Sequence, residues 1–345
     1  MLNKKDSGNA AHAIQVEGLV KTFNGFNAVD DISFHVKQGE LFGLLGPNGA
    51  GKTTTISILS TLLHATKGKA LVAGFDVTSQ KDQVRRNIGV VFQESALDTK
   101  LTAWENLEFH AMMYGMNKQE RTQRIEAVLQ LVELEERADI LVENYSGGMK
   151  RRLEIARGLI HHPRVLFLDE PTLGLDAQTR RHIWEYIKQL NQDSAVTIVL
   201  TTHYMEEADF LCERVAIMDH GKFAASDSPS RLKEILGGDV VSMEVDNVPR
   251  DFIDSLRALE GIKSVDTIPE EKKCIRLTMD QGEKRLPDLI SRASKRGLEV
   301  TCVDLHKPSL EDVFLHFTGR SIRDDGASRS ERNRAMMRGH NRRKK

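Results

Sequence analysis

Cysteine is scarce in this chain: there are three in 345 residues, far apart, and none belongs to a C-x-x-C pair. Such usage does not support a disulfide framework and favours a reducing, cytosolic setting. Cys274 and Cys302 stand in apolar runs, so we interpret them as small core residues.

Long apolar runs are also missing. No segment approaches the 18 or so consecutive apolar residues of a membrane-spanning helix, and residues 1–12 lack the apolar core of a secretory signal. The first turn of a dinucleotide-binding fold is absent too, since no G-x-G-x-x-G opens a helix. We therefore expect a chain that does not cross a membrane itself, although it can work at one.

Charge is nearly balanced overall, but it is unevenly distributed. The net charge is −1, and the 40% hydrophobic and 29% charged content is that of an ordinary globular protein. Between Arg320 and Lys345, however, ten Lys and Arg face three acids, so this tail carries +7 and the remainder −8. We expect a disordered basic tail over 320–345, for which anionic lipid headgroups or RNA are conceivable partners.

A glycine-rich motif follows the apolar run Leu41–Leu45 and precedes a helical pattern that starts at Thr54. Strand, glycine-rich turn and helix form the context in which G-x-x-x-x-G-K-[ST] is a phosphate-binding loop rather than a plain turn. Its backbone N–H groups would surround a polyphosphate, Lys52 would reach the terminal phosphates and Thr53 would bind Mg²⁺. The predicted nucleotide contacts are Gly46, Pro47, Asn48, Gly49, Ala50, Gly51, Lys52, Thr53 and Thr54.

Polar residues stand at the ends of three further apolar runs. Asp169 and Glu170 end one of them, and a carboxylate pair beside a phosphate loop can hold Mg²⁺ and activate a water. His203 ends the next run and could donate to the γ-phosphate. Gln93, also at a strand end, could orient water or approach Mg²⁺. Surface acids at a turn and a structural histidine are the alternatives for these residues when each is considered alone.

A second anion site is predicted at Ser146-Gly147-Gly148, which opens a helix. A hydroxyl, two small residues and a helix N-terminus suit a phosphate. One nucleotide does not need two such sites in one chain. We therefore expect this site to cap ATP that is bound by a second copy of the protein.

The rest of the pattern predicts two domains, as the length allows. Residues 13–235 alternate strands and helices, with two antiparallel strands near the start, a helical stretch over about 95–160 and buried parallel strands beyond it. Gly237-Gly238 marks a boundary. Residues 239–319 follow the β-α-β-β-α-β order of a ferredoxin-like α+β domain, and residues 1–12 are expected to be disordered.

These motifs together resemble an ATP-binding cassette ATPase. They are G-P-N-G-A-G-K-T-T, Gln93, Y-S-G-G-M, L-F-L-D-E-P, G-L-D at Gly174–Asp176 and His203, in the family's order and spacing. The stretch Pro308–Leu315, P-S-L-E-D-V-F-L, is similar to the ending of the daunorubicin-resistance group of drug and antibiotic exporters. The fold class implied is α/β: a P-loop NTPase core of the ABC type with a mixed sheet, an antiparallel β subdomain and a helical subdomain, followed by the ferredoxin-like domain.

The resemblance also implies roles for single residues. Glu170 would be the catalytic base, with His203 as a γ-phosphate switch and Gln93 as the link to the helical subdomain. Asp176 would communicate across a dimer. Phe23 stands where an aromatic ring stacks on adenine, although tyrosine is commoner there. Tyr145 and Met149 depart from L-S-G-G-Q, but the Ser-Gly-Gly core is intact.

The family's partners are a second copy, forming an ATP sandwich, and a separate membrane permease, so the chain would lie at the cytoplasmic face of the membrane. Aromatic and methionine residues cluster in the helical stretch, namely Trp104, Phe109, Met112, Met113, Tyr114 and Met116. We expect most of them in the core, although the family docks its permease here.

The alternative function is a soluble cassette ATPase that acts on the ribosome or nucleic acid. The basic tail is the only feature that supports this alternative, and no specific nucleic acid is expected as a partner. The sequence does not indicate the transported compound.

Overall fold

The computed structural model describes residues 12–245, 249–267 and 274–319. The chain divides into two compact units between Phe223 and Ala224. The expected disordered tail at 320–345, and residues 1–11 of the expected disordered N-terminus, lie outside the described residues.

Strands of the first unit form two sheets. They are β1 (His12–Phe23), β2 (Phe26–Lys37), β3 (Leu41–Leu45), β4 (Lys67–Val72), β5 (Phe75–Asp76), β6 (Ile88–Val91), β7 (Val165–Asp169), β8 (Thr197–Thr202), β9 (Arg214–Asp219) and β10 (Lys222–Asp227), which runs across the division. One sheet has the order β2-β1-β4-β5 and the other β10-β9-β3-β8-β7-β6. In the second sheet β3, β6, β7, β8 and β9 are parallel, as the continuous apolar runs predict.

Helices of the first unit are α1 (Lys52–Leu59), α2 (Lys81–Asn87), α3 (Ala103–Met113), α4 (Lys118–Leu131), α5 (Gly147–Leu159), α6 (Ala177–Ser194) and α7 (Met205–Leu211). Helices α3, α4 and α5 pack on one another and form the helical stretch that the sequence predicts. Thr102 caps α3 through a complete capping box with Glu105.

The core of the first unit lies between the two sheets. Phe42 and Leu44 of β3, Phe167 of β7 and Ile56 of α1 belong to one buried cluster with the apolar residues of β1 and β2. All five residues of β3 are buried, so the strand that leads into the glycine-rich loop is held from both faces. This fixes the starting point of the loop.

The second unit contains α8 (Pro229–Leu236), β11 (Asp239–Val245), α9 (Arg250–Arg257), β12 (Ile262–Thr267), β13 (Cys274–Met279), α10 (Gly282–Lys295), β14 (Val300–His306) and α11 (Leu310–Thr318). Its antiparallel sheet has the order β12-β13-β11-β14. The β-α-β-β-α-β succession from β11 to β14 confirms the ferredoxin-like prediction. Helix α8 packs on α11 and lies in this unit, whereas the first domain expected from the sequence extends to 235, within α8.

Strand β4 ends at Val72, because Ala73 and Gly74 have positive φ and turn the chain into β5. One residue of the second unit differs from the sequence analysis. Cys302 is exposed on β14, so its interpretation as a core residue is wrong; the side chain of Cys274 lies outside the described residues. Within the described ranges no helix is long and apolar enough to cross a membrane.

Candidate active site

The glycine-rich loop connects β3 to α1 and is shaped by two close approaches. A Cβ on Gly46 would lie 2.1 Å from the carbonyl oxygen of Met218, and one on Gly51 would lie 2.3 Å from that of Ala28. Gly51 also has φ 108° and caps α1 without a side chain. The loop therefore needs glycine at both positions, and it ends at a helix N-terminus that can bind an anion.

Lys52 is the first residue of α1 and its side chain folds back over the loop. Nζ donates to the carbonyl oxygens of Gly46 at 2.7 Å and Pro47 at 3.0 Å. It also lies 3.5 Å from Oε1 of Glu170, in an ion pair between two buried side chains. Burial lowers the pKa of Lys52, although the charge of Glu170 acts in the opposite direction. The cation is thus already in the loop where phosphates would enter.

Asp169 ends β7 directly opposite Thr201 of β8. Its Oδ1 accepts a hydrogen bond from the Thr201 hydroxyl at 2.5 Å and one from the Thr53 hydroxyl at 3.2 Å. The parallel pairing of β7 with β8 brings these groups to one edge of the sheet. A carboxylate beside a hydroxyl at a phosphate site suits Mg²⁺, which takes one or two protein oxygens and completes its shell with phosphate and water.

Glu170 follows with φ 46°, in the left-handed region, at a cost of about 1–3 kcal/mol. Its N–H donates to Oγ1 of Thr201 at 3.0 Å and lies 3.1 Å from that residue's carbonyl oxygen. Nδ1 of His203 lies 3.3 Å from Oε1, close enough for a charge interaction but not aligned as a hydrogen bond. Burial alone would raise the pKa of Glu170, but the contacts with His203 and Lys52 outweigh it and the pKa is lowered.

A buried carboxylate stands behind this edge. Oε1 of Glu207 accepts from the Thr172 hydroxyl at 2.7 Å and from Nε1 of Trp184 at 2.8 Å. Burial raises the pKa of Glu207. Thr201, Thr172 and Glu207 were not predicted from the sequence. Thr201 follows the apolar run Ile198–Leu200 in β8, which was an available signal. Thr172 in a turn and Glu207 beside Glu206 on α7 had none.

Gln93 and Phe23 are both exposed and are less constrained than the residues above. Gln93 follows β6 and is exposed. Phe23 ends β1 at a tight hairpin, is 42% exposed, and has Nζ of Lys21 4.8 Å from its ring centre. An exposed ring at this hairpin is accessible to a flat ligand. Within the described ranges neither side chain forms a hydrogen bond, an ion pair or a ring contact with Lys52 or Glu170.

Ser146 is the N-cap of α5, with its hydroxyl accepting from the N–H of Met149 at 3.2 Å. Ser146 and Gly147 are exposed, whereas Gly148 is buried and a Cβ there would lie 2.7 Å from Thr179. Helix α5 packs on β6, α3, α4 and α6, while α1 packs on β2, β4 and β7. The predicted cap and the phosphate loop therefore belong to different parts of the unit.

Asp176 is the N-cap of α6. Its Oδ1 accepts from the N–H of Thr179 at 2.9 Å and its Oδ2 from the Thr179 hydroxyl at 2.7 Å. These hydrogen bonds lower the pKa of the Asp176 carboxyl, and the bond from the Thr179 hydroxyl has the larger effect. Thr179 also faces Gly148, so the starts of α5 and α6 are adjacent.

An apolar groove of about 630 Å³ lies between β6 and the helical stretch. Phe109 and Met113 line it and are 64% and 70% exposed, and Tyr114 stacks on His161 with ring centres 3.9 Å apart. The expectation that most of the aromatic and methionine cluster is core is therefore wrong for Phe109, Met112, Met113 and Tyr114, all of which are exposed. Burial lowers the pKa of His161 to about 4, so its ring is neutral near pH 7.

The family follows from comparison with known proteins. The ABC transporter family model matches residues 29–173, and the model of the C-terminal domain of DrrA1-3-like ATP-binding proteins matches residues 228–318. The chain is 40% identical over 312 residues to the linearmycin resistance ATP-binding protein LnrL of Bacillus subtilis, covering 90% of this chain and all of that one. This chain belongs to the ATP-binding proteins of ABC transporters.

Further comparisons agree with this assignment. The daunorubicin/doxorubicin resistance ATP-binding protein DrrA of Streptomyces peucetius is 39% identical over 317 residues, 90% of this chain and 94% of that one. A dimeric post-hydrolysis state of the ATP-binding cassette MJ0796, bound to ADP and phosphate, matches with a TM-score of 0.56 and 30% identity over 62% of this chain and 98% of that chain. An ABC ATP-binding protein binds and hydrolyses ATP, forms dimers and works with a membrane permease.

Proposed function

We propose that this ABC ATP-binding protein energises the export of an antibiotic-like compound through a separate permease, working at the cytoplasmic face of the membrane. The resistance proteins of Bacillus and Streptomyces support export, since both are named for resistance to such compounds and match nearly their whole length. They favour this function over an ATPase that acts on the ribosome or nucleic acid. The observation that carries the proposal is the convergence of Lys52, Glu170 and His203 at one edge of the parallel sheet.

In the proposed mechanism the loop N–H groups at Gly46–Thr54 and Nζ of Lys52 bind the β- and γ-phosphates. The Thr53 hydroxyl and Asp169 would hold Mg²⁺, and the bound ion would neutralise phosphate charge. Glu170, ionised because its pKa is lowered, takes a proton from the attacking water. His203 donates to the γ-phosphate, and Phe23 stacks on the adenine.

The second half of each site comes from another copy of the chain. Ser146, Gly147 and Gly148 at the start of α5 cap the ATP of the partner protomer, and Asp176 contacts the partner. Two observations support this: Ser146 and Gly147 at the start of α5 are exposed, and α5 packs on different elements from those that support α1.

The apolar groove would receive a cytoplasmic helix of the permease. Its exposed Phe109 and Met113 favour an amphipathic helix, and Phe92 at its wall is next to Gln93. A helix seated there would be adjacent to the backbone of Gln93, and this proximity supports a role for Gln93 in linking the permease to the nucleotide. Gln93 is thus proposed to orient water or contact Mg²⁺ in response to the permease.

The basic tail at 320–345 is proposed to contact anionic lipid headgroups of the membrane that holds the permease.

The test of the site is Glu170→Gln, with Glu206→Gln as the matched control because Glu206 is exposed on α7. Glu170→Gln should bind ATP, hydrolyse it slowly and shift to a dimer in size measurements with ATP. Glu206→Gln should behave as the wild type. Normal turnover in Glu170→Gln would remove the catalytic assignment, and a monomer in ATP would remove the capping by Ser146.

The test of the groove is Phe109→Asp or Met113→Asp in cells that co-express this chain with a candidate permease from the same organism. Both variants should keep ATP turnover as isolated proteins and lose co-purification with the permease. Ile290→Asp, on an exposed apolar residue of α10, is the control and should co-purify normally. Retention of the permease by both groove variants would contradict the docking site.

A further inference from the structure

Arg151 lies in α5 and is almost completely buried, with 7% of its surface exposed. A guanidinium is always charged, so removing it from water is tolerated only when its donors find partners. The partners therefore indicate what the side chain does.

Two of its donors hold the backbone on both sides of Glu170. Nη2 donates to the carbonyl oxygen of Asp169 at 3.1 Å, and Nε donates to that of Pro171 at 2.7 Å. Glu170 itself has a strained backbone, with φ 46°. A conformation of this kind persists only when its surroundings enforce it.

The third nitrogen reaches in another direction. Nη1 donates to the carbonyl oxygen of Phe92 at 2.8 Å and to Oε2 of Glu154 at 2.7 Å. Phe92 directly precedes Gln93. Arg151 thus makes four hydrogen bonds from the five N–H groups of a guanidinium, and three of them end on backbone next to proposed functional residues.

We propose that Arg151 is a positioning residue for ATP hydrolysis: it fixes Glu170 and the approach to Gln93 against the helix that begins at Ser146. This rests on the proposed function, in which Glu170 is the base of one ATP site and Ser146 caps the other. Arg151 then makes the base of one site and the cap of the second site parts of one rigid body. Lysine cannot replace it, since an ammonium lacks the planar fork that reaches three carbonyls at once.

The experiment compares Arg151→Lys with Arg124→Lys in the full chain. Arg124 is a matched control because its Nε and Nη2 donate to the carbonyl oxygens of Ile160 and Leu159 at 3.0 and 2.7 Å. These bonds are of the same kind, at the other end of α5 and away from Glu170. Turnover is expressed per ATP-binding site, counted by titration with labelled ATP, so that an unfolded fraction does not imitate a lower kcat.

Arg151→Lys should lower kcat roughly 10- to 100-fold, the loss that a displacement of about 1 Å can cause. KM for ATP should stay within about twofold, since the phosphate contacts are unchanged. Arg124→Lys should keep kcat even where its Tm falls. Equal losses of kcat in both variants, or an effect of Arg151→Lys on KM alone, would overturn the proposal.

A second variant separates position from stability. Arg151→Met with Glu154→Leu replaces the buried ion pair by apolar side chains, a change that is often neutral for stability. It should fold, bind ATP and hydrolyse it slowly; wild-type kcat in the folded double variant would overturn the proposal. Glu170→Gln, measured alongside, tests the proposed function separately, because normal turnover there removes the catalytic base whatever Arg151 does.

Discussion

Nζ of Lys52 and Oε1 of Glu170 lie 3.5 Å apart, and both side chains are less than a tenth exposed. The proposed phosphate-binding cation and the proposed base therefore neutralise each other at the junction of α1 and β7. Phosphates entering the loop bring negative charge to Lys52 and compete with Glu170 for it. We expect ATP binding to weaken this pair and to leave the carboxylate free for water.

Lys52→Ala should abolish ATP turnover, because the phosphates lose their charge partner. It should also destabilise the protein, since removing one member of a buried ion pair costs about 3–5 kcal/mol. Adding Glu170→Gln should recover much of the Tm without recovering turnover. Turnover is measured with an ATPase assay and Tm with calorimetry. Normal turnover in Lys52→Ala would contradict the role of Lys52 in phosphate binding. An equal Tm in the single and double variants would contradict the stabilising pair with Glu170.

The pH dependence of turnover should follow the environment of Glu170. Its lowered pKa keeps the carboxylate ionised below the usual range of glutamate, so the acid limb of kcat/KM lies there. His203→Ala removes a lowering interaction, and the acid limb should move to higher pH. His182→Ala, on an exposed histidine of α6, should leave the limb in place, whereas an unmoved limb in His203→Ala would contradict the contact.

Thr53→Val should raise the Mg²⁺ concentration needed for half-maximal turnover by about tenfold, equivalent to about 1.4 kcal/mol. The valine keeps the shape of the side chain but loses the oxygen beside Asp169. Turnover at saturating Mg²⁺ should be partly recovered. Ser57→Ala on the next turn of α1 is the control, and the same Mg²⁺ dependence in both variants would remove Thr53 from the metal site.

Deletion of residues 320–345 should leave ATP turnover of the isolated protein largely intact, because the proposed active-site residues all lie before this segment. Binding to vesicles that contain an anionic lipid should weaken, and neutral vesicles provide the control. A collapse of turnover in the truncated protein would show that the tail takes part in the catalytic unit.

Much of this architecture could be predicted from the sequence. The motif at Gly46–Thr54 predicted the loop. The continuous apolar run before Asp169 indicated a parallel strand, because strands that are buried on both faces of a sheet are apolar at successive positions. The order of strands and helices from β11 to β14 was equally clear from the alternation of apolar and polar residues and from the turns between these elements. Helix α6 was not predicted. Most of its residues are polar, and only a narrow apolar face that includes Ile183, Ile187 and Leu190 is buried.

Contacts between distant parts of the chain could not be predicted in the same way. Arg151 stands in the basic run Lys150-Arg151-Arg152, and nothing local distinguishes the buried arginine from its neighbours. Its partners at Phe92 and Pro171 meet it only because α5 packs beside β6. The prediction that Phe109 and Met113 are buried was wrong for a different reason. Hydrophobic residues are usually buried, but a surface that binds a partner has the same apolar composition as a core.

The hydrogen bond from Trp184 to Glu207 has a practical consequence. The chain contains only two tryptophans, and the carboxylate that binds this indole also binds the hydroxyl of Thr172, which lies two residues after Glu170. A Trp104→Phe variant would leave Trp184 as the sole emitter. Its fluorescence would then report, in real time and without an attached dye, on the backbone beside the proposed catalytic carboxylate as nucleotide binds and dissociates.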